Sequence, residues 1–294
     1  MQTDNLKAAL AIVIAMAMIT SNDAIVKHLT QIFNVGQIIF LRGILACAIF
    51  AIALKFKKQP VLSRHSFHRW NLLRGCFEMI ATLTFMTSLS LLPLATTSTL
   101  GFSSPIFLAI FAAIILREKV SLLRWMIIFA GFGGVLLITN PFNDGSSWAM
   151  ILPVICAIFV ALRDLVVRYL PADLPTMQVA FTNAWIVMLG GGVYSIFQGW
   201  NSADWDWYLW FGLIAALIYT GYVLYILGTR IGELSFIAPF KYTSIILALL
   251  LGYLIWGDVP TLQMLLGAAI IIGSGVVLLT NERRRIARLN TPQA

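Results

Sequence analysis

Long apolar runs of about 20 residues, separated by short polar stretches, recur along the whole chain. A membrane-spanning α-helix needs about 20 mostly apolar residues, so the pattern predicts ten spans. The longest polar stretch between them, 55–69, is too short for a soluble domain, and we expect an all-α integral membrane protein. The predicted spans are 6–28, 34–54, 70–91, 94–116, 121–140, 148–169, 175–198, 207–229, 234–256 and 261–280.

The composition is typical of a chain that has lipid as part of its solvent. Of the 294 residues 60% are hydrophobic and 11% are charged, and the mean hydropathy is +0.89, whereas soluble domains have about 25% charged residues. The three cysteines, Cys47, Cys76 and Cys156, fall inside apolar runs, which indicates neither a disulfide framework nor a zinc site. The segment 6–19 is like the core of a signal peptide, but no convincing cleavage site follows it, so we interpret it as the first span.

The basic residues predict the orientation of the chain. With the N-terminus in the cytoplasm, the lysines and arginines of the loops lie almost entirely on the inner side, and Lys27 lies outside. This asymmetry predicts a multi-pass protein of the cell (inner) membrane with both termini in the cytoplasm. The net charge of +8 is therefore interpreted as a topology signal, and we expect no nucleic-acid partner.

The two halves of the sequence resemble each other in a constant register. Residues 23–29 match residues 164–170, an offset of 141, and the offset changes by only one residue through the later spans. Such self-similarity indicates duplication. Each copy has five predicted spans, an odd number, so the second copy would enter the membrane from the opposite side. We expect two inverted-topology repeats of five helices, at 1–140 and 141–294.

The first copy also carries a family pattern. Pro105 lies in a span that ends at Leu116-Arg117-Glu118-Lys119, and Trp125 and a glycine-rich helix ending Val135-Leu136-Leu137 follow. This arrangement resembles the repeat of the drug/metabolite transporter superfamily, EamA type. The second copy departs from it, with Asp258 in place of the usual glutamate. The resemblance implies a secondary transporter that works by alternating access at a central cavity between the repeats.

The resemblance also implies a class of solute. Members similar to this chain export amino acids, including aromatic ones, and we expect amino-acid export here. Other members import methionine-derived cofactors or exchange nucleotide or sugar conjugates, and this alternative stays open. A membrane-embedded enzyme is a further alternative, but the sequence has no H-E-x-x-H, G-x-S-x-G or Walker A motif. We therefore expect no enzyme, no catalytic residue, no cofactor and no metal.

The expected partners are a small-molecule substrate and the lipid bilayer. Coupling to a proton and facilitated diffusion both stay open, because a carboxylate inside a span would serve either scheme. A monomer and a homodimer also stay open.

Charged side chains inside spans are the strongest site candidates, because each costs about 2.5–3.5 kcal/mol to insert at a helix centre. Arg42 or Lys241 would bind a solute carboxylate, and Glu78 an ammonium group. Arg74 shares a helix face with Glu78, although it is near enough to the cytoplasmic edge to reach headgroups. The predicted substrate-binding residues are Arg42, Glu78, Lys241, Tyr242, Phe102, Asn183, Trp185, Tyr219 and Tyr222.

A second group of residues is interpreted as gates or hinges. Asp23 and Lys27 are four residues apart near a helix end, as are Asp164 and Arg168 at the matching place in the second copy, so each pair would lock that end. A proline inside a span frees a carbonyl one turn earlier and favours a bend. The predicted gate and hinge residues are Asp23, Lys27, Arg163, Asp164, Arg168, Pro105 and Pro239.

Overall fold

The computed structural model describes residues 5–58, 60–61, 64–115, 122–139, 148–171, 174–202, 205–231, 240 and 243–290. Within these ranges the regular structure is helical throughout, which confirms the expected all-α class. The α-helices are α1 (Asn5–Leu29), α2 (Val35–Phe56), α3 (Arg69–Leu91), α4 (Leu94–Gly101), α5 (Ser104–Ile115), α6 (Leu122–Thr139), α7 (Ile151–Val166), α8 (Thr176–Gln198), α9 (Trp205–Ile231), α10 (Thr243–Trp256) and α11 (Leu262–Asn290).

Several of these helices have the length and apolar composition of membrane spans. Among the residues described, six stretches are long and apolar enough to cross a membrane: Leu6–Leu29, Val35–Phe56, Arg69–Leu91, Trp148–Val166, Met177–Gln198 and Trp207–Tyr225. Shorter apolar helices cover Trp125–Ile138, Thr243–Trp256 and Leu262–Ser274. All coincide with predicted spans. The number ten stays a prediction, because 234–256 is only partly described and 94–116 is interrupted.

The interruption lies between α4 and α5. Phe102 and Ser103 form a turn, in which the Phe102 N–H donates to the Ser98 carbonyl at 3.0 Å and Ser103 Oγ donates to the Leu100 carbonyl at 2.6 Å. Pro105 is the second residue of α5, a position where a missing N–H is tolerated because first-turn N–H groups have no intrahelical partner. Pro105 thus begins a helix after a break, rather than bending a continuous one. Movement at this break stays a prediction.

The most extensive helix packing joins the two halves of the sequence. Helix α1 packs along α9, α3 along α7, α2 along α8, and α6 along α11, and smaller contacts join α5 to α7 and α1 to α10. If α7, α8 and α9 correspond to α1, α2 and α3, these contacts are reciprocal, as in a two-fold symmetric interface. The described helices of the two halves are therefore interleaved and do not form two separately packed bundles.

Small residues allow the closest of these contacts. A Cβ atom on Gly134 of α6 would lie 2.9 Å from the Gly267 carbonyl oxygen of α11, and one on Gly267 would lie 2.8 Å from the Gly134 oxygen. Lipid is as apolar as leucine, so helices in a bilayer gain little from burying large apolar side chains against each other. Close backbone approach supplies the van der Waals contact instead.

The two ends of the bundle are packed differently. The largest cluster of buried apolar side chains, which includes Leu29 and Leu94, gathers at one end. We call it the Lys27 end, because Lys27 lies there, and it is the outer end in the predicted orientation. At the opposite end the rings of Trp70 and Tyr169 stack with their centroids 4.8 Å apart, and we call it the Trp70 end.

Candidate functional site

Two cavities lie next to each other inside the helix bundle. Cavity A, of about 370 Å³, is lined by residues of α1, α3, α4, α5, α7, α9 and α10, with one residue of α2. Cavity B, of about 330 Å³, is lined by α2, α3, α8 and α9. Both volumes lie in the range of small-molecule sites. The residues that line both cavities are Arg42, Glu78, Thr82, Ile218 and Tyr222.

Cavity A contains an ion pair between the two halves of the sequence. Arg163 Nη1 donates to Glu78 Oε2 at 2.6 Å, and Arg163 Nε donates to Asp164 Oδ1 at 3.0 Å. The side chains of Arg163 and Glu78 are 17% and 19% exposed, so water in the cavity can reach a pair that is otherwise surrounded by protein. Arg163 is one of the predicted gate residues, and Glu78 is the residue predicted to bind a solute ammonium group. In this structure the guanidinium of Arg163 is therefore the partner of that carboxylate.

Arg42 lies beside this pair and faces both cavities. The carboxylates that attract it are those of Asp23 and Glu78. Asp23 lines cavity A and accepts a hydrogen bond from Asn22 Nδ2 at 3.0 Å. Three ionisable groups, from α1, α2 and α3, therefore line cavity A.

Asp23 and Lys27 have different surroundings in the structure, and the lock between them stays a prediction. Lys27 Nζ donates to the Leu92 carbonyl at 2.5 Å and lies 5.2 Å from the ring centroid of Trp256. Asp23 points into cavity A instead. One helical turn separates the two residues, but α1 ends beside the α3–α4 connection and the last residue of α10, which give the ammonium group other partners. Lys27 thus joins the two halves at the Lys27 end.

Cavity B holds several of the predicted aromatic and polar residues. Asn183, Tyr219 and Tyr222 line it, and Tyr222 is 43% exposed to the cavities. The rings of Phe50 and Tyr219 meet edge to face with centroids 5.7 Å apart. One wall of cavity B is therefore aromatic.

The remaining predicted residues are distributed differently. Phe102 lines cavity A, whereas Trp185 lines neither cavity and packs against Phe67 with ring centroids 6.3 Å apart. Asp164 contacts Arg163. The residues Lys241, Tyr242 and Pro239 lie outside the described part of the chain, as do the side chains of Arg168 and Pro105.

The sequence interpretation missed Arg74 and Cys156 as cavity residues. Arg74 lines cavity B, and its Nε and Nη1 atoms are buried without a hydrogen-bond partner among the described residues. Its guanidinium therefore does not extend to the headgroups as the sequence allowed. Cys156 lines cavity A and is 6% exposed. Its place in an apolar run gave no signal of this, because a buried cysteine is usually a small apolar side chain.

The sequence interpretation also missed two serines that line cavity A, although the internal repeat relates their positions. Ser104 and Ser244 are 140 residues apart, which is the offset of the later spans, and both line cavity A. In cavity B, Arg42 and Asn183 are 141 apart, as are Glu78 and Tyr219. Further lining pairs at the same offset are Ile39 with Ala180, Gly43 with Ala184 and Ala46 with Val187. Repeat-matched positions thus surround cavity B.

Comparison with known families agrees with this duplication. The profile of the EamA-like transporter family matches residues 6–140 and, a second time, residues 147–280. The chain belongs to the EamA-like transporter family. The resemblance found in the sequence is thereby confirmed, and this family member is a multi-pass membrane transporter of the drug/metabolite kind.

Named relatives of this EamA-like transporter carry different solutes. A riboflavin transporter of Rhizobium johnstonii is 27% identical over 242 residues, which cover 80% of this chain and 79% of the relative. An S-adenosylmethionine uptake transporter of Rickettsia bellii is 22% identical over 284 residues, 92% of each chain. A pseudopaline exporter of Pseudomonas aeruginosa is 23% identical over 264 residues, 87% of this chain and 90% of the relative. These names give no support to the expectation of amino-acid export.

A solved structure shares the fold of this EamA-like transporter. It covers 96% of this chain and 96% of its own, with a TM-score of 0.58 at 16% sequence identity. At this identity the match concerns the fold alone.

Proposed function

We propose that this EamA-like transporter is a secondary carrier for a metabolite that is larger than an amino acid and combines a heteroaromatic ring with a polar or anionic chain. The observation that carries the proposal is the lining of cavity B, which joins an aromatic wall at Tyr219 and Tyr222 to the guanidinium groups of Arg42 and Arg74. Riboflavin and S-adenosylmethionine, the solutes named for two relatives, both combine a heterocyclic ring with a polar chain. An amino acid is smaller and would leave much of cavity B unfilled.

The mechanism in this proposal is alternating access. Residues 1–140 and 141–294 are taken as inverted repeats, so a pseudo-two-fold axis would lie in the membrane plane and pass through cavity B. Exchange of the conformations of the two halves then gives a second packing of similar energy, open to the other side. Helix α1 packs along α9, and α3 packs along α7. We therefore expect each group of helices that moves as a rigid body to contain helices of both halves.

In this mechanism the ion pair of Arg163 and Glu78 forms in one conformation and breaks in the other. The bond crosses from one half to the other within cavity A, so it would lengthen or break when the halves rearrange. Partial exposure to water keeps the cost of separating the charges moderate. The protein is placed in the cell (inner) membrane with both termini in the cytoplasm, as the basic residues predict.

Transport by the purified protein in proteoliposomes tests the proposal. We expect saturable uptake of riboflavin or S-adenosylmethionine. Unlabelled solute of the same kind inside the proteoliposomes should accelerate this uptake, because a loaded carrier returns faster than an empty one. Arg42→Gln should abolish uptake, while Lys55→Gln, a matched cation on the exposed end of α2, should not change it. Uptake of aromatic amino acids without uptake of either ring solute would overturn the proposal in favour of amino-acid transport.

A further inference from the structure

Among the residues that the structure describes, the charges of cavity B all come from the first half of the sequence. Its ionised lining residues are Arg42, Arg74 and Glu78. At the offset of 141 their counterparts are Asn183, Ala215 and Tyr219, which carry no charge at neutral pH. The positions that line cavity B are therefore matched between the two repeats, but the side chains at these positions differ in charge. A solute with one charged end meets two different walls.

The charges on this wall do not cancel. Two guanidinium groups face one carboxylate, and that carboxylate, Glu78, is already hydrogen bonded to Arg163 at 2.6 Å. Arg42 is attracted by both Asp23 and Glu78. Arg74 is attracted by Glu78 and Asp164 and repelled by Arg163. Among the described residues, the lining of cavity B therefore carries an excess of positive charge, to which Arg74 contributes.

Arg74 also has hydrogen-bonding capacity that the protein leaves unused. Its Nε and Nη1 atoms, and Oδ1 of Asn183, which lines the same cavity, are buried and have no hydrogen-bond partner within the described ranges. Buried polar atoms are nearly always hydrogen bonded, and an unpaired donor next to a cavity is satisfied when a ligand supplies an acceptor. A guanidinium group suits carboxylate and phosphate oxygens in particular.

Another part of the cavity B lining suits an uncharged ring. Tyr219 and Tyr222 lie on consecutive turns of α9 and line cavity B, and Phe50 holds the Tyr219 ring edge to face. Aromatic rings favour stacked or edge-to-face partners. Together the two walls provide one place for an anion and another for a ring.

We infer that cavity B binds its solute in one orientation, with a carboxylate or phosphate group on Arg74 and the aromatic ring against Tyr219 and Tyr222. The inference rests on the proposed function, because it assigns the two ends of the proposed ring-bearing solute. It makes Arg74 the residue that distinguishes solutes with a carboxylate or phosphate group from solutes without one. Arg74 lies one turn closer to the Trp70 end than Glu78, so the anionic group faces that end.

Matched pairs of solutes test the inference. Riboflavin and riboflavin 5′-phosphate differ by a phosphate, and S-adenosylmethionine and its decarboxylated form differ by a carboxylate. Binding and transport of all four are measured with the wild-type protein, Arg74→Gln and Arg74→Lys in proteoliposomes. Arg69→Gln is the control, because Arg69 lies on the same helix, is exposed and contacts Trp70 outside both cavities.

We expect Arg74→Gln to weaken binding of the member that carries the phosphate or carboxylate group about 10- to 100-fold, the effect of one hydrogen bond to a charged group. Riboflavin, which is neutral, should change less than about twofold, decarboxylated S-adenosylmethionine, which is a dication, should not be weakened, and Arg74→Lys should recover part of the loss. A response of the phosphate pair alone assigns the subsite to phosphate, and a response of the carboxylate pair alone assigns it to carboxylate. Arg69→Gln should alter neither pair.

Equal weakening of both members of each pair by Arg74→Gln would overturn the inference while leaving the proposed function intact. Failure of the wild-type protein to bind any of the four solutes would overturn the proposed function and the inference with it. If Arg74→Gln does not fold, as judged by size-exclusion chromatography, Asn183→Asp replaces it. A carboxylate at that position would compete for Arg74, so selective loss of the members that carry the phosphate or carboxylate group supports the inference and unchanged selectivity overturns it.

Discussion

Arg163 of α7 and Glu78 of α3 form an ion pair of 2.6 Å that connects the second half of the sequence to the first. The sequence pattern instead favours a pair between Glu78 and Arg74, which lie one turn apart on the same helix. The tertiary structure gives Glu78 a partner 85 residues away in the chain. Arg74 is thereby left with unpaired donors in cavity B.

The first prediction concerns the coupling energy of this pair. Glu78→Gln and Arg163→Gln should each lower the thermal stability of the detergent-solubilised protein, because each leaves a partly buried charge without its partner. The double variant should lose less than the sum, with a coupling energy of about 1–3 kcal/mol. Additive losses would mean that the pair contributes nothing beyond its separate members.

The second prediction uses a thiol that the chain already has. Cys156 lines cavity A, whereas Cys76 is exposed on α3 and lines neither cavity. In a variant that keeps only Cys156, solute at ten times its Kd should slow labelling by a small polar thiol reagent about tenfold. A variant that keeps only Cys76 is the control and should show no protection. Equal labelling rates with and without solute at Cys156 would contradict obstruction of cavity A by a solute that binds at the residues shared with cavity B.

The third prediction concerns closure of the Lys27 end. Lys27 contacts the Leu92 carbonyl and the Trp256 ring, so it joins α1 to the α3–α4 connection and to α10. Lys27→Met removes the hydrogen bond and the cation–π contact. An impermeant thiol reagent applied from the Lys27 side should then label Cys156 several-fold faster. Lys55→Met, at the other end of the bundle, should leave the rate unchanged, and a normal rate in Lys27→Met would show that this contact does not close the cavity.

The fourth prediction compares two neighbouring glycines of α6. A Cβ atom on Gly134 would lie 2.9 Å from the Gly267 oxygen, whereas one on Gly133 would meet nothing within 4 Å. Gly134→Ala should therefore cost about 1–3 kcal/mol of stability through overpacking. Gly133→Ala should stabilise the helix by about 0.5–1 kcal/mol through the lower backbone entropy of the unfolded chain. Similar thermal shifts for both variants would contradict the close α6–α11 contact.

The fifth prediction concerns orientation in the membrane. The basic loops predict that the C-terminus lies in the cytoplasm. A C-terminal alkaline phosphatase fusion should therefore be inactive and a C-terminal fluorescent-protein fusion bright, since the first needs an oxidising compartment and the second folds in the cytoplasm. An active phosphatase fusion would reverse the assignment of the Lys27 end to the outside.

Helix positions were predictable because the bilayer imposes a simple rule on sequence. Any stretch that crosses lipid must satisfy its backbone hydrogen bonds internally and present apolar side chains, so the apolar runs coincide with α1, α2, α3 and α8 to within about two residues. The break at Phe102 and Ser103 was not predictable in this way. Both residues fit a continuous apolar run, and the turn is compatible with the fold only because neighbouring helices surround it.

The sequence predicted which charged side chains face a cavity better than it predicted which of them pair with each other. Arg42 and Glu78 stood out because a charge inside a span is costly and therefore faces a cavity, and the structure places both there. Sequence spacing assigned Asp23 to Lys27 and gave no partner from another helix. Contacts between helices depend on rotation and crossing angle, which local spacing does not encode.

The sequence by itself determined the number of apolar runs, the duplication, the family and the presence of ionised groups in the membrane interior. These follow from local rules, since hydropathy and repeat register are read along one chain. Only the tertiary structure decided that the halves interleave, that Glu78 pairs with Arg163, and that the charged residues of cavity B share its lining with Tyr219 and Tyr222. Each of these depends on which faces of the helices contact each other. Lipid is equally apolar on all sides of a helix, so close packing between helices determines these contacts.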